Sequence, residues 1–165
     1  MKAAATFLVA LLALLFLRSG ETAARASQPY RQGKVTQSTI DNALKKARTQ
    51  KKILMIEFGA NWCEDCLVLA RTLEEGDTKK YFKDHFFELR VDVGRFDRNL
   101  EIMKALGVEM NAIPTAVFFD PDGSRIGATN KMELEPARKY GVRQILPFLK
   151  EISEQKRVTN PAQYQ

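Results

Sequence analysis

The stretch EFGANWCEDCLVL, Glu57 to Leu69, holds the only two cysteines of the 165-residue chain, Cys63 and Cys66. A disulfide between them would close a very small loop, and loop entropy gives such a bridge little stabilising power. A structural zinc site needs four ligands. This chain offers two cysteines and one histidine, His85 in KDHFF, which reads as an ordinary helix-end residue; no metal is expected. The setting of the pair favours redox chemistry. ILMIEF, residues 53–58, is a short apolar run bounded by charge and Gly59, the pattern of a buried central strand. From Cys63 the apolar spacing turns helical and runs to about residue 75, near Gly76. Cys63 therefore falls where a strand gives way to a helix. The partial positive charge and free N–H groups of a helix start favour a thiolate, which is the nucleophile. Cys66 lies one turn on, within reach of Cys63. The first cysteine attacks a partner disulfide and the second resolves the mixed disulfide, with no cofactor.

Working outward, residues 27–36 are a polar lead-in. A helix is predicted over 39–50 with Ser38 as its cap, and a short helix over 78–84. FELRVDV, 87–93, alternates as a strand, followed by a helix over 99–106. TAVFFD, 115–120, is a strand entered through Pro114; DPDG is a turn, and 124–128 pairs back. Residues 136–155 are helical with interruptions expected at Gly141 and Pro147, and the tail from 156 to 165 reads as loose. With the two helices between the first two strands counted as one, the order α-β-α-β-α-β-β-α predicts an α/β domain over 37–155, with a central mixed sheet and helices on both faces.

FGANWCEDC, Glu57 six residues before Cys63, and AIPT at 112–115 together resemble the thioredoxin superfamily, over roughly residues 36–155. Within it, the chain is similar to exported thioredoxin-like domains such as the C-terminal reductase domain of the bacterial membrane thiol–disulfide interchange protein. The resemblance implies a thioredoxin-like fold and a protein-disulfide oxidoreductase. It implies that Pro114 is the cis-proline whose loop receives an extended substrate, that Ile113 flanks that substrate, and that Trp62 covers one side of the site. Glu57 matches a buried acid beneath the pair. Its position alone supports a role: burial raises a carboxyl pKa, and near Cys66 such a group could exchange that cysteine's proton. The departure is Glu64-Asp65, where thioredoxins proper carry Gly-Pro. Two acids beside a developing thiolate raise its pKa, so these tuning residues predict a reductase-like potential.

The N-terminus has its own pattern. Lys2 precedes an apolar run from Ala3 to Leu17 broken only by Thr6, and AARA follows at 23–26. This reads as a signal peptide over 1–26, cut before Ser27, with an N-terminal membrane anchor as the rival. Either way the domain is expected outside the cytoplasm, periplasmic or secreted. The mature chain would keep 23 basic and 19 acidic residues, a formal charge of +4. The cations are scattered, which argues against a nucleic-acid partner. The expected partners are disulfide-containing proteins and a membrane or soluble thiol electron donor; a monomer is expected. A binding module with an idle disulfide is the competing reading, and activity after loss of Cys63 separates the two.

Overall fold

The computed structural model describes residues 28–164. The signal peptide or anchor expected over 1–26 lies outside them. The elements are α1 (Gln37–Gln50), β1 (Ile53–Gly59), α2 (Glu64–Thr72), α3 (Gly76–His85), β2 (Phe86–Asp92), α4 (Leu100–Ala105), β3 (Thr115–Phe119), β4 (Arg125–Ala128) and α5 (Val142–Gln155). Short 3-10 turns lie at Ala137–Lys139 and Pro161–Gln163.

The four strands form one sheet in the order β2-β1-β3-β4. β1 runs parallel to β2 and antiparallel to β3, and β3 is antiparallel to β4, so the sheet is mixed. Successive strand side chains point to opposite faces, and β1 is buried along its whole length. Leu54, Ile56 and Phe58 therefore enter one core, with Ile40, Ala43 and Ala47 of α1 and Ile102 and Met103 of α4. Ile53 and Met55 enter the other, with Leu69 of α2, Phe82 of α3 and Ile145, Phe148 and Ile152 of α5. This is the thioredoxin-like α/β architecture, helices on both faces of a mixed sheet. Glu57 belongs by parity to the second face and is fully buried.

Several local expectations shift. The cap of α1 is Thr36, not Ser38: its hydroxyl accepts the Thr39 N–H, and the Thr39 hydroxyl accepts the Thr36 N–H in a reciprocal box. Gly141 does interrupt the C-terminal helical region, but Pro147 sits inside α5. The carbonyl it leaves free belongs to Arg143, an exposed first-turn residue, where water can satisfy it. The tail is packed: Pro161 is buried, and Val158 and Tyr164 lie against the second core. The lead-in is packed too, because Tyr30 is a core residue.

Candidate active site

Cys63 is the N-cap of α2. Its sulfur accepts the N–H of Cys66 at 3.2 Å, so one orphan donor of the helix start already points at it. A thiolate there would accept the same bond more strongly, which lowers the thiol pKa. Cys63 and Cys66 are joined as a disulfide with their Cα atoms 5.2 Å apart. Cys63 keeps 7% of its surface in solvent and Cys66 none, the asymmetry expected of an attacking and a resolving sulfur.

The Ile113–Pro114 peptide bond is cis, and the carbonyl oxygen of Ile113 lies 3.6 Å from Cys63 Sγ. The segment is anchored behind by Thr115, whose hydroxyl donates to the carbonyl of Thr129, while the Thr129 hydroxyl accepts the Ala116 N–H. Ile113 meets the pair through its carbonyl; its side chain is buried in the core. Trp62, the residue before Cys63, stands 47% exposed. Its indole N–H donates to the Gly94 carbonyl at 2.6 Å, Arg95 lies over its ring at 5.6 Å, and Phe96 meets it edge-on at 5.9 Å. Phe96 has φ 62, a backbone state that costs a bulky L-residue about 1–2 kcal/mol.

Beneath the pair lies a buried polar group that the sequence disclosed only in part. The hydroxyl of Tyr30 donates a short hydrogen bond to Glu57 Oε1 and lies 3.5 Å from the Cys66 carbonyl. Its backbone is clamped by Asn61, which accepts the Tyr30 N–H at 3.1 Å and donates to the Tyr30 carbonyl at 2.7 Å. Gly59 makes room for the ring: a Cβ there would collide with it. From β2, Arg90 Nε donates to Glu88 Oε1 at 2.9 Å and sits 3.6 Å from Glu57 Oε2. That is close enough for ion pairing but too long for a hydrogen bond, so Glu57 Oε2 has no hydrogen-bond partner among the described residues. The register explains the meeting. Glu57 pairs with Arg90 across β1 and β2, and Glu88 is two residues before Arg90 on the same face.

Burial raises the Glu57 pKa above its ordinary value, opposed by Arg90 and by the Tyr30 hydrogen bond. Glu88 is pushed up to about 8, first by burial and then by the charge of Glu57. Burial and Glu57 hold Tyr30 well above its usual range, so it stays a donor. The site thus holds one fully buried carboxyl, Glu57, and one partly exposed carboxyl, Glu88, with the two sharing the partly exposed guanidinium of Arg90.

Glu64 and Asp65 open α2, as expected, but they are not free charges. Arg138 donates to Glu64 Oε2 at 2.7 Å, and its Nε lies 3.1 Å from Asp65 Oδ2. Its backbone N–H also donates to Asp65 Oδ1 at 2.8 Å. One cation offsets part of the negative charge that the dipeptide puts near Cys63. Tyr30, Glu88, Arg90, Phe96 and Arg138 are the site residues that sequence reasoning missed.

A strand-to-helix junction carrying a bridged Cys-x-x-Cys, a cis-proline loop against its first sulfur and a mixed four-stranded sheet define a thioredoxin-superfamily domain. The family model described as thioredoxin-like matches residues 35–121, over half of the chain, and the chain belongs to that family of disulfide oxidoreductases. Among solved structures it is similar to a disulphide isomerase from Xylella fastidiosa Temecula1, with 34% identity and a TM-score of 0.72, covering 76% of this chain and 97% of that one. A thioredoxin from Buchnera aphidicola is 28% identical over 62% of this chain and 91% of its own length. A protein disulfide-isomerase of Schizosaccharomyces pombe is 33% identical over 56% of this chain, and the match spans only 24% of that longer relative.

Proposed function

We propose that this chain is an exported thiol–disulfide oxidoreductase that reduces or exchanges disulfides of partner proteins, working as a reductase. The observation that carries it is the placement of Cys63: N-cap of α2, hydrogen-bonded by Cys66 N–H, slightly exposed, and 3.6 Å from the Ile113 carbonyl. In the reduced chain the Cys63 thiolate attacks one sulfur of a partner disulfide. The partner S–S bond breaks, a Cys63–partner bond forms, and the leaving sulfur takes a proton. Cys66 then gives its proton to the carboxylate of Glu57, directly or through one water, and attacks Cys63 Sγ. The intramolecular bridge closes and the partner leaves as a dithiol, two electrons richer. A separate dithiol protein must then reduce the bridge, because this chemistry uses no flavin or nicotinamide.

Trp62, next to Cys63 in the chain, and the Ile113–Pro114 loop, whose Ile113 carbonyl lies 3.6 Å from the sulfur, are the proposed substrate-binding walls. Glu64 and Asp65, with one cation between them, leave a net negative charge at the start of α2, which favours the bridged form and hence a reducing couple. The apolar run and AARA sequence at the N-terminus support export to the periplasm or secretion.

Turnover of insulin with dithiothreitol as donor tests the reading. Wild type should precipitate the insulin B chain, and Cys63→Ser should be inactive. If Cys63→Ser/Cys66→Ser retains the wild-type effect, the protein acts as a binding module and the redox reading fails.

A further inference from the structure

The loop joining β2 to α4 is more tightly built than its length requires. Three of its residues are left-handed: Gly94 at φ 58, Phe96 at φ 62 and Asn99 at φ 55. Glycine suits position 94 because it adopts this state without strain, and a Cβ there would also displace the Asp97 carboxylate. Asn99 tolerates the conformation and uses it, donating to the Asp92 carbonyl at 2.8 Å and the Gly33 carbonyl at 2.9 Å while accepting the Val35 N–H at 2.8 Å. Phe96 has no such compensation. A bulky residue persists in this region only where its surroundings over-determine it. Here they do: Asp92 accepts from Gly94 N–H at 3.2 Å and from Arg98 at 3.0 Å, and Asp97 N–H reaches the Val93 carbonyl at 3.1 Å.

What the loop gains is a ring held 39% in water against Trp62. Single exposed apolar residues are commonplace. Here two half-exposed aromatic rings are in contact, one of them belongs to the residue before Cys63, and the other is kept in a disfavoured backbone state. The same loop fixes the indole, through the Gly94 carbonyl and through Arg95 over the ring.

We propose that Phe96 and Trp62 together form one recognition ledge beside Cys63, and that it takes a large apolar side chain next to the reactive cysteine of a polypeptide disulfide. This rests on the redox reading and names the substrate class within it. A polypeptide whose cysteine reaches Cys63 has neighbouring side chains within reach of both rings, and an aromatic or large aliphatic one removes their exposed area from water. Glutathione disulfide carries no such side chain and gains nothing there.

The test uses two synthetic peptides with the same internal disulfide, differing only in Phe or Ser beside the attacked cysteine, together with glutathione disulfide. Trp62 is the only tryptophan in the chain, so its emission also reports docking. Wild type should favour the Phe peptide in kcat/KM by about five- to ten-fold, mostly through KM. F96N and F96G, both suited to the left-handed backbone, should bring that preference within two-fold. Both should lower kcat/KM for the Phe peptide several-fold more than for the Ser peptide or glutathione disulfide, and F96L should restore most of the preference. A preference unchanged in F96N and F96G overturns the proposal. So does an equal loss on all three substrates, which would make Phe96 a mere prop for Trp62. If wild type reduces none of the three, the redox reading itself has failed, and the ledge falls with it.

Discussion

Tyr30→Phe removes one oxygen from the core and keeps the ring that fills the space over Gly59. Among the described residues the lost group is the only hydroxyl on Glu57 Oε1, and Glu57 Oε2 has no hydrogen-bond partner there. The variant leaves a fully buried carboxyl whose nearest cation among the described residues is the guanidinium of Arg90, 3.6 Å away and shared with Glu88. A hydrogen bond to a charged group contributes about 1.5–3 kcal/mol net, and a neutral one about 1 kcal/mol. The expected loss is therefore about 2–3 kcal/mol where Glu57 is ionised and about 1 kcal/mol where it is protonated. The sign follows from linkage. The Tyr30 bond lowers the Glu57 pKa against the larger effect of burial, so removing it raises the folded-state value further. A carboxyl raised on folding binds its proton more tightly in the native state. Stability is then lost as pH rises from the ordinary carboxylate value of 4.5 through the folded value. Urea unfolding of the oxidised protein at pH 5 and pH 8.5 should show a gap between wild type and Y30F that widens by about 1–2 kcal/mol, with m unchanged. A gap below about 0.5 kcal/mol at both pH values, or one that does not widen, would refute the buried hydrogen-bond argument.

Glu88→Gln should flatten the stability profile across pH 5–8 by on the order of 2–4 kcal/mol, because an acid held up to about 8 costs stability as it ionises; pH-dependent urea unfolding measures it, and an unchanged slope counts against a shared buried charge. Gly59→Ala should destabilise by about 1–3 kcal/mol, since its Cβ meets the Tyr30 ring, which Asn61 holds by the backbone; calorimetry should read the loss, and a double variant with Tyr30→Ala should recover part of it. Arg138→Ala should make the Cys63–Cys66 couple more reducing, by on the order of 10 mV at low salt, by leaving Glu64 and Asp65 unpaired. Equilibration with glutathione gives the value, and a shift toward the oxidising side would reverse the electrostatic argument. Against the same scale, a wild-type potential near about −270 mV fits a reductase and one near about −120 mV contradicts it.

What could be read before the structure was local. ILMIEF, the helical turn after Cys63 and the AIPT segment carry their signals within a few residues, so the sheet, the redox pair and the proline loop were legible. Glu57 stood out because a charge interrupts an apolar run. Its companions did not, because they arrive from far along the chain. Tyr30 lies 27 residues away in a polar lead-in, and Arg138 meets Glu64 across 74. Glu88 and Arg90 carried a usable clue in their alternation within FELRVDV, which places both on one strand face. Only the parallel register of β1 with β2 turns that face toward Glu57. Phe96 gave none, since nothing in GRFD marks a phenylalanine as left-handed.

Cys63 is the sulfur expected to bond to substrate, and trapping the mixed disulfide tests that most directly. Reduced Cys66→Ser, unable to resolve, should form a covalent adduct with an insulin chain, and peptide mass spectrometry should place the bond at Cys63. No adduct from Cys66→Ser, or one formed equally by Cys63→Ser through Cys66, would contradict it.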